Sequence, residues 1–258
     1  LDGARALRAE RLLFENGRLV VLVAGIPFKC PAAPYETALL LDADFRRRGL
    51  AERVRIDIYT PEPGPMPVAG PEVSAQLRAM IESRGIGYYP NHPVARVDAA
   101  NRKIVFANGV EADYGLLAYV PPHRAPAVVR ASPLAGESGW IPVDPHTLQT
   151  RFPGVYAVGD AATIMLKMGK PLPKAGVLAH GEAEVVAHNI AAEIIGRAER
   201  RSFDGHGECF IETGNGRAGF GSGNFYAEPT PKIRLRQPSS ILHYGKVAFE
   251  KYWLFRWF

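Results

Sequence analysis

Thr150-Arg151-Phe152-Pro153-Gly154-Val155-Tyr156-Ala157-Val158-Gly159-Asp160 is the stretch that decides how the rest of the chain is read. Phe152-Pro153-Gly154 is turn chemistry, and Val155-Tyr156-Ala157-Val158 is a short apolar run of strand character. Gly159 lets the backbone leave that strand close to something bulky. Asp160 then stands at the carboxyl end of a strand, the edge at which open α/β sheets bind ligands. Pro173-Lys174-Ala175-Gly176 follows, and a helical pattern runs from Val177 to Ile195. A helix N-terminus carries a partial positive charge and free N–H groups. One strand end therefore offers a carboxylate and the next helix offers a positive pole. The plainer reading of the same residues is a buried strand followed by a turn.

Working outward, residues 4–14 read as a short helix stopped by Gly17, and Arg18 to Ala24 is a continuous apolar run, as in a buried parallel strand. A helix from Thr37 to Arg48, a strand from Val54 to Tyr59, a proline-rich loop, a helix from Pro71 to Arg84 and a strand from Ile86 to Tyr89 complete half of a doubly wound sheet. Val94–Asp98 and Lys103–Phe106 alternate as a meander with a turn at Asn108-Gly109, and Leu116–Val120 returns to a buried strand. Gly139–Asp144 is a short strand or turn. Asp204 to Tyr226 is rich in glycine and β-formers, a separate layer with Cys209 in its first strand. Gly219-Phe220-Gly221-Ser222-Gly223 has no helix after it, so a glycine-rich hairpin is favoured over a phosphate loop.

The 258 residues hold one large domain or two smaller ones, with 47% hydrophobic and 22% charged residues, an ordinary soluble composition. A net charge of +5 and the lack of a basic run with interleaved aromatics before the C-terminus give no case for nucleic acid. No run is long and apolar enough for a transmembrane helix. Cys30 and Cys209, the two cysteines, cannot make a zinc site on their own, and no metal is expected.

The loop after the first strand should be G-x-G-x-x-G if it cradled a nucleotide pyrophosphate. It keeps Gly25 but carries Pro27, Pro31 and Pro34, which remove donors and stiffen the turn, and it presents Cys30 instead. That argues against NAD binding by this half.

T-x-x-x-x-V-Y-A-x-G-D at 150–160 resembles the second flavin signature of the two-dinucleotide-fold flavoproteins. Three stretches resemble the sulfide:quinone oxidoreductases, and equally the flavoprotein subunit of flavocytochrome c sulfide dehydrogenase. They are Lys29-Cys30-Pro31-Ala32-Ala33-Pro34-Tyr35-Glu36, Val120-Pro121-Pro122-His123-Arg124, and Tyr156–Asp160 through Pro173-Lys174-Ala175-Gly176. The resemblance covers residues 1 to about 200 and the remainder more loosely. It implies an α/β fold: a Rossmann-like sheet with a β-meander over 1–110, part of an FAD-type domain over 111–200, and a small α+β redox and membrane-interface region over 201–258. It implies FAD as cofactor, with Gly159, Asp160, Lys174, Ala175, Gly176, Pro122 and His123 around it. Asp160 would accept from the ribityl hydroxyls, and the helix would face the N1/C2=O edge. Lys174 would stabilise the reduced flavin.

The same resemblance implies Cys30 and Cys209 as a redox disulfide opened by sulfide, with Lys29 lowering the pKa of Cys30 and Glu36 as proton carrier. Capping the helix that follows is the other reading of Glu36. Electrons would leave through the flavin to quinone or to a cytochrome. The family also begins with a βαβ unit of roughly 100 residues carrying G-x-G-x-x-G for the ADP half of FAD, which this sequence does not contain. Two other readings stay open: a type II NADH:quinone reductase, and a flavin-free scaffold. From Lys246 the chain can be helical, with Phe249, Trp253 and Trp257 on one face, Tyr252, Phe255 and Phe258 beside it, and Lys246, Lys251 and Arg256 supplying charge. Residues 246–258 are thus expected at a membrane interface, peripheral and on the cytoplasmic face, or docked on the protein's own core.

Overall fold

The protein is described by a computed structural model over residues 2–258. Helix α1 (Asp2–Leu13) leads into β1 (Gly17–Val23), in which Leu19, Val20, Val21, Leu22 and Val23 are all buried. A strand without polar alternation is covered on both faces, the signature of a central parallel strand. Helix α2 (Ala33–Arg47) leads to β2 (Val54–Tyr59), and α3 (Pro71–Glu82) to β3 (Gly87–Tyr89). The helix α2 starts four residues earlier than its apolar periodicity predicts. Pro34 sits in its first turn, where a missing N–H costs nothing.

An antiparallel meander follows, β4 (Val94–Asp98), β5 (Lys103–Phe106) and β6 (Glu111–Asp113), before β7 (Leu116–Val120). The main sheet has the order β3-β2-β1-β7, and each neighbouring pair is parallel. It takes its fourth strand from beyond residue 110. The odd residues Leu19 and Val21 of β1 face Tyr35, Leu39 and Phe45 of α2, while Val20 and Leu22 face Ile104, Phe106 and Ala112 of the meander. The two-residue period of a strand thus divides one apolar run between two cores. Strand order runs outward from β1 to β3 and then jumps to the other side of β1. The carboxyl ends of β1 and β7 therefore mark the switch point of the sheet, the edge at which such folds place their ligands.

Beyond β7 come α4 (Ala127–Arg130), the two-residue parallel pair β8 (Ile141–Pro142) and β9 (Ala162–Thr163), and α5 (Gly176–Ile194). The expected strand Val155–Val158 is not one. Thr150 N–H donates to Val155 C=O and Ala157 N–H to Leu148 C=O, so these residues fold back on 148–150, and Tyr156 makes only an isolated bridge with Gln149. A strand needs neighbours for its alternating backbone groups, and among the described residues this segment finds only that reversal. Gly159–Ala161 is a single 3-10 turn.

The C-terminal layer is an antiparallel sheet of β10 (His206–Gly214), β11 (Arg217–Asn224) and β12 (Lys232–Ser239), followed by α6 (Ser240–Trp257). Gly219–Gly223 lies in β11, a hairpin strand and no phosphate loop. The last helix begins six residues before the predicted Lys246, because Ser239 Oγ caps it by accepting from Leu242 N–H at 3.2 Å.

Candidate functional site

The switch point between β1 and β7 is closed tightly at the backbone. Ala24 N–H donates to Val120 C=O at 3.0 Å, and a Cβ added to Gly25 would lie 3.3 Å from Pro122 Cβ. The Cys30 loop is tied on both sides. Lys29 N–H donates to His123 Nδ1 at 2.7 Å, and Cys30 N–H donates to Lys174 C=O at 2.8 Å. Burial and the nearby Lys29 lower the His123 pKa, which suits a neutral ring accepting at Nδ1. Cys30 itself is held at φ +51°, in the left-handed region, with its C=O accepting from Ala33 N–H at 2.9 Å. Predicted site residues from three separate stretches are therefore joined.

Asp160 stands beside the start of α5 as expected, though in a turn and not at a strand end. Its carboxylate lies 3.0 Å from Lys29 Nζ. That pairing corrects the role expected of Lys29. Its ammonium serves Asp160, and Cys30, though an exposed residue, has its thiol pushed up, first by loss of solvent around it and then by Glu36. Lys174 is buried and donates to Asp160 C=O at 2.9 Å and Ala162 C=O at 2.7 Å, while its Nζ sits 3.9 Å from the Trp140 ring centre. Desolvation lowers its pKa to about 8. Gly159, at φ +64°, brings the turn so close to α5 that an added Cβ would lie 3.0 Å from Ala179 Cβ. Its N–H donates to the buried Glu182 Oε2 at 2.5 Å. No side chain caps α5, so its positive end at Ala175-Gly176 is left open.

A cavity of about 310 Å³ lies alongside, walled largely by apolar side chains that include Phe28, Val68, Leu172, Phe225 and Ile233. Cys30 and Cys209 both line it, and both are free thiols. The Cys209 S–H donates to its neighbour Phe210 C=O at 3.2 Å. Its pKa is pushed up to about 12 by burial, then by Cys30 and Glu36. Glu36 is no helix cap: α2 has no side-chain cap, and Glu36 Oε1 accepts from Glu212 N–H of β10 at 2.7 Å. Desolvation raises the Glu36 pKa.

Sequence reasoning missed Glu62, Glu182 and Glu212. Glu62 lines the cavity, is buried, accepts from Tyr35 O–H at 3.0 Å, and has its pKa raised by burial to about 7. Nothing local marks these glutamates; each is defined by a partner far along the chain. Among the described residues no cluster of histidine, cysteine or carboxylate side chains could hold a metal ion.

Helix α6 divides lengthwise. Trp253 and Trp257 pack edge-on against His180 of α5, with ring centres 4.7 and 5.3 Å away, and Phe249 leans on Phe210. Ile241, Tyr244, Tyr252 and Phe255, spaced along the opposite face, are exposed, Phe255 to 89%. Among the described residues no helix is long and apolar enough to cross a membrane.

Comparison with known proteins places this geometry in a family. Residues 38–183, more than half of the chain, match the pyridine nucleotide-disulphide oxidoreductase family. The mitochondrial sulfide:quinone oxidoreductase of Mus musculus is 24% identical over 84% of this chain and 48% of its own length. For that of Schizosaccharomyces pombe the values are 27%, 79% and 44%. The chain thus spans about half the length of these relatives. The crystal structure of the sulfide:quinone oxidoreductase from Aquifex aeolicus superposes with a TM-score of 0.83 at 24% identity, over 96% of this chain and 60% of that one, which establishes a shared fold. The chain belongs to the pyridine nucleotide-disulphide oxidoreductase family.

Proposed function

We propose that this chain is part of an FAD-dependent sulfide:quinone oxidoreductase-like enzyme in which Cys30 and Cys209 are the reacting thiol pair. The observation that carries the reading is their meeting on the wall of one apolar cavity, next to Asp160 and the open N-terminus of α5. The residues fit the flavin half of FAD. Gly159 seats the Asp160 turn directly against α5, the α5 N-terminus supplies unshared N–H groups, and Asp160 offers a half-exposed carboxylate. No glycine-rich cradle for the pyrophosphate is present among the described residues. Bound FAD would take two electrons from the thiol pair and hand them to the acceptor.

In the disulfide form of the pair, hydrosulfide attacks one sulfur; a new S–S bond forms and the other cysteine leaves as thiolate. The apolar wall favours entry of neutral hydrogen sulfide, and Glu36, behind the wall and close enough to bear on both thiols, would hold the proton that must be shed on ionisation. Lys29 fixes the Asp160 carboxylate, and Lys174 fixes the turn that carries it. The acceptor is a quinone, or a soluble cytochrome if α6 does not meet lipid. The exposed aromatic face of α6, with Lys251 and Arg256 in the same helix, supports a peripheral membrane site.

The backbone N–H groups of Lys29 and Cys30 are already given to His123 and Lys174, which weighs against NADH as donor. Absorbance of the purified flavin-loaded protein tests the reading. Bleaching by sulfide is expected; bleaching by NADH alone identifies the reductase alternative, and a folded colourless protein the scaffold alternative.

A further inference from the structure

Helix α6 contains no buried residue, yet its first two turns grip the body through charge. His243 Nδ1 lies 3.0 and 3.2 Å from the two carboxylate oxygens of Glu212, and Lys246 Nζ lies 3.6 Å from one of them. The Glu212 side chain is only 9% exposed. Its backbone N–H points the other way and donates to Glu36 Oε1 at 2.7 Å. One residue of β10 thus ties α6 to α2, three positions along the strand from Cys209.

The titratable groups that face Glu36 are Glu212 of β10, Lys246 of α6 and the two thiols; those that face Cys209 are Cys30, Glu36 and Lys246. Lys246 is the cation bearing on both Glu36 and Cys209, and it lowers the pKa of each. Glu36 opposes ionisation of both thiols. A half-buried carboxylate beside a thiol opposes its ionisation unless a cation offsets it, and here that cation belongs to the terminal helix.

We propose that Lys246 and His243 are positioning residues for the thiol pair: anchored on Glu212, they seat α6 against the strand that carries Cys209, so that the Lys246 ammonium stands over the Glu212–Glu36 link beside it. The proposal deepens the functional reading above and rests on Cys209 being a reacting thiol. It makes thiol reactivity depend on whether the root of α6 is docked. His243 supplies the second contact that holds the Glu212 carboxylate on the helix.

The experiment is alkylation of the purified full chain by iodoacetamide at pH 9, with Cys30 and Cys209 peptides quantified separately by mass. Lys246→Gln is expected to slow Cys209 at least about threefold, the effect of half a pKa unit. Cys30, on which Lys246 does not bear comparably, stays within about twofold of wild type and reports an intact fold. Lys246→Arg restores the Cys209 rate, which a purely packing role for the lysine stem does not require. His243→Ala slows Cys209 by a smaller factor in the same direction. An unchanged Cys209 rate in Lys246→Gln, equal slowing of both thiols, or failure of the arginine variant to restore the rate overturns the proposal. Sulfide bleaching that persists in Cys209→Ser instead removes the functional reading, and the alkylation rates stand apart from that result.

Discussion

The two walls that face the cavity are held by different means. The Cys30 wall is stitched through the backbone, by Lys29 N–H to His123, by Cys30 N–H to Lys174, and by the buried Lys174 ammonium on two carbonyls. The Cys209 wall is one strand of a small sheet, tied to α2 by one bond from Glu212 N–H to Glu36 and to α6 by the ion pairs of the Glu212 side chain with His243 and Lys246. Backbone contacts fix atoms and carry little adjustable charge. Side-chain ion pairs carry charge and open at low cost. The first wall is suited to present a thiol in one place, the second to change how readily a thiol ionises.

The sharpest break of this comparison is Cys209→Ser in the flavin-loaded protein. Sulfide-dependent flavin reduction, followed by stopped-flow absorbance, should fall on the order of a thousandfold or more, because the hydroxyl neither forms nor leaves a disulfide. Cys30→Ser should do the same. Rapid bleaching in the Cys209 variant alone would reduce the second wall to scaffolding.

Two glycines measure how tightly each wall is seated. On the Cys209 side, Gly214 sits at φ +81° at the end of β10, and an added Cβ would come 2.3 Å from Ala43 Cβ of α2. On the other side, Gly159 would meet Ala179 Cβ at 3.0 Å. Gly214→Ala should cost about 3 kcal/mol or more of unfolding free energy, and Gly159→Ala about 2 kcal/mol. Denaturant midpoints check the order; a larger loss at Gly159 would reverse it.

The same contrast separates what the sequence revealed from what it hid. The strands β1, β2 and β4 and the helix α3 lie within two residues of their predicted bounds, because apolar periodicity is a local signal read over a few turns or strand residues. Cys30, His123, Asp160 and Lys174 come from separate stretches that their motifs mark locally, and hydrogen bonds and an ion pair join those stretches. The strand at Val155–Val158 failed because pairing depends on a neighbour, which no local pattern supplies. β12 was missed for a related reason: Lys232–Ser239 mixes charged and apolar residues on a half-exposed edge. Glu62, Glu182 and Glu212 were invisible because a buried carboxylate looks like a surface one until its partner is known.

Glu62 gives a test in pH. Its pKa rises from 4.5 to about 7 on folding, so the folded state holds its proton where the unfolded chain has lost it. The stability tied to that proton is complete below pH 4.5 and is lost as pH rises through 7. Glu62→Gln keeps an acceptor for Tyr35 O–H without a buried charge. It should gain about 1–2 kcal/mol at pH 8 and flatten the decline between pH 4.5 and 7. Lys174 carries the opposite slope, since its pKa falls from 10.5 to about 8 and stability rises with pH across that window. Chemical denaturation at several pH values distinguishes the two; a steeper decline in the Glu62 variant would contradict the assignment.

The smallest expected effect concerns the outer face of α6. Ile241, Tyr244, Tyr252 and Phe255 are exposed there, while Trp253 and Trp257 are spent on His180 and the Glu212 contacts hold the root. One face of the segment is docked on the protein's own body, and the other is free and apolar. Aromatic side chains with flanking Lys251 and Arg256 suit the headgroup zone, where tyrosine keeps its hydroxyl wet and long basic stems reach outward. Changing Tyr252 and Phe255 together to serine removes apolar area without touching the docked face or the charge. Partition onto anionic liposomes, measured by flotation, should fall about tenfold, the effect of about 1.4 kcal/mol. The alkylation rate of Cys209 in the absence of lipid should stay as in wild type, because Lys246 remains seated on Glu212. If partition is unchanged while the protein stays folded, the outer face is no lipid anchor, and a soluble cytochrome becomes the better acceptor. If partition falls and Cys209 slows as well, docking and exposure of α6 are not separable, and the two-faced description of the helix gives way to a single packed unit.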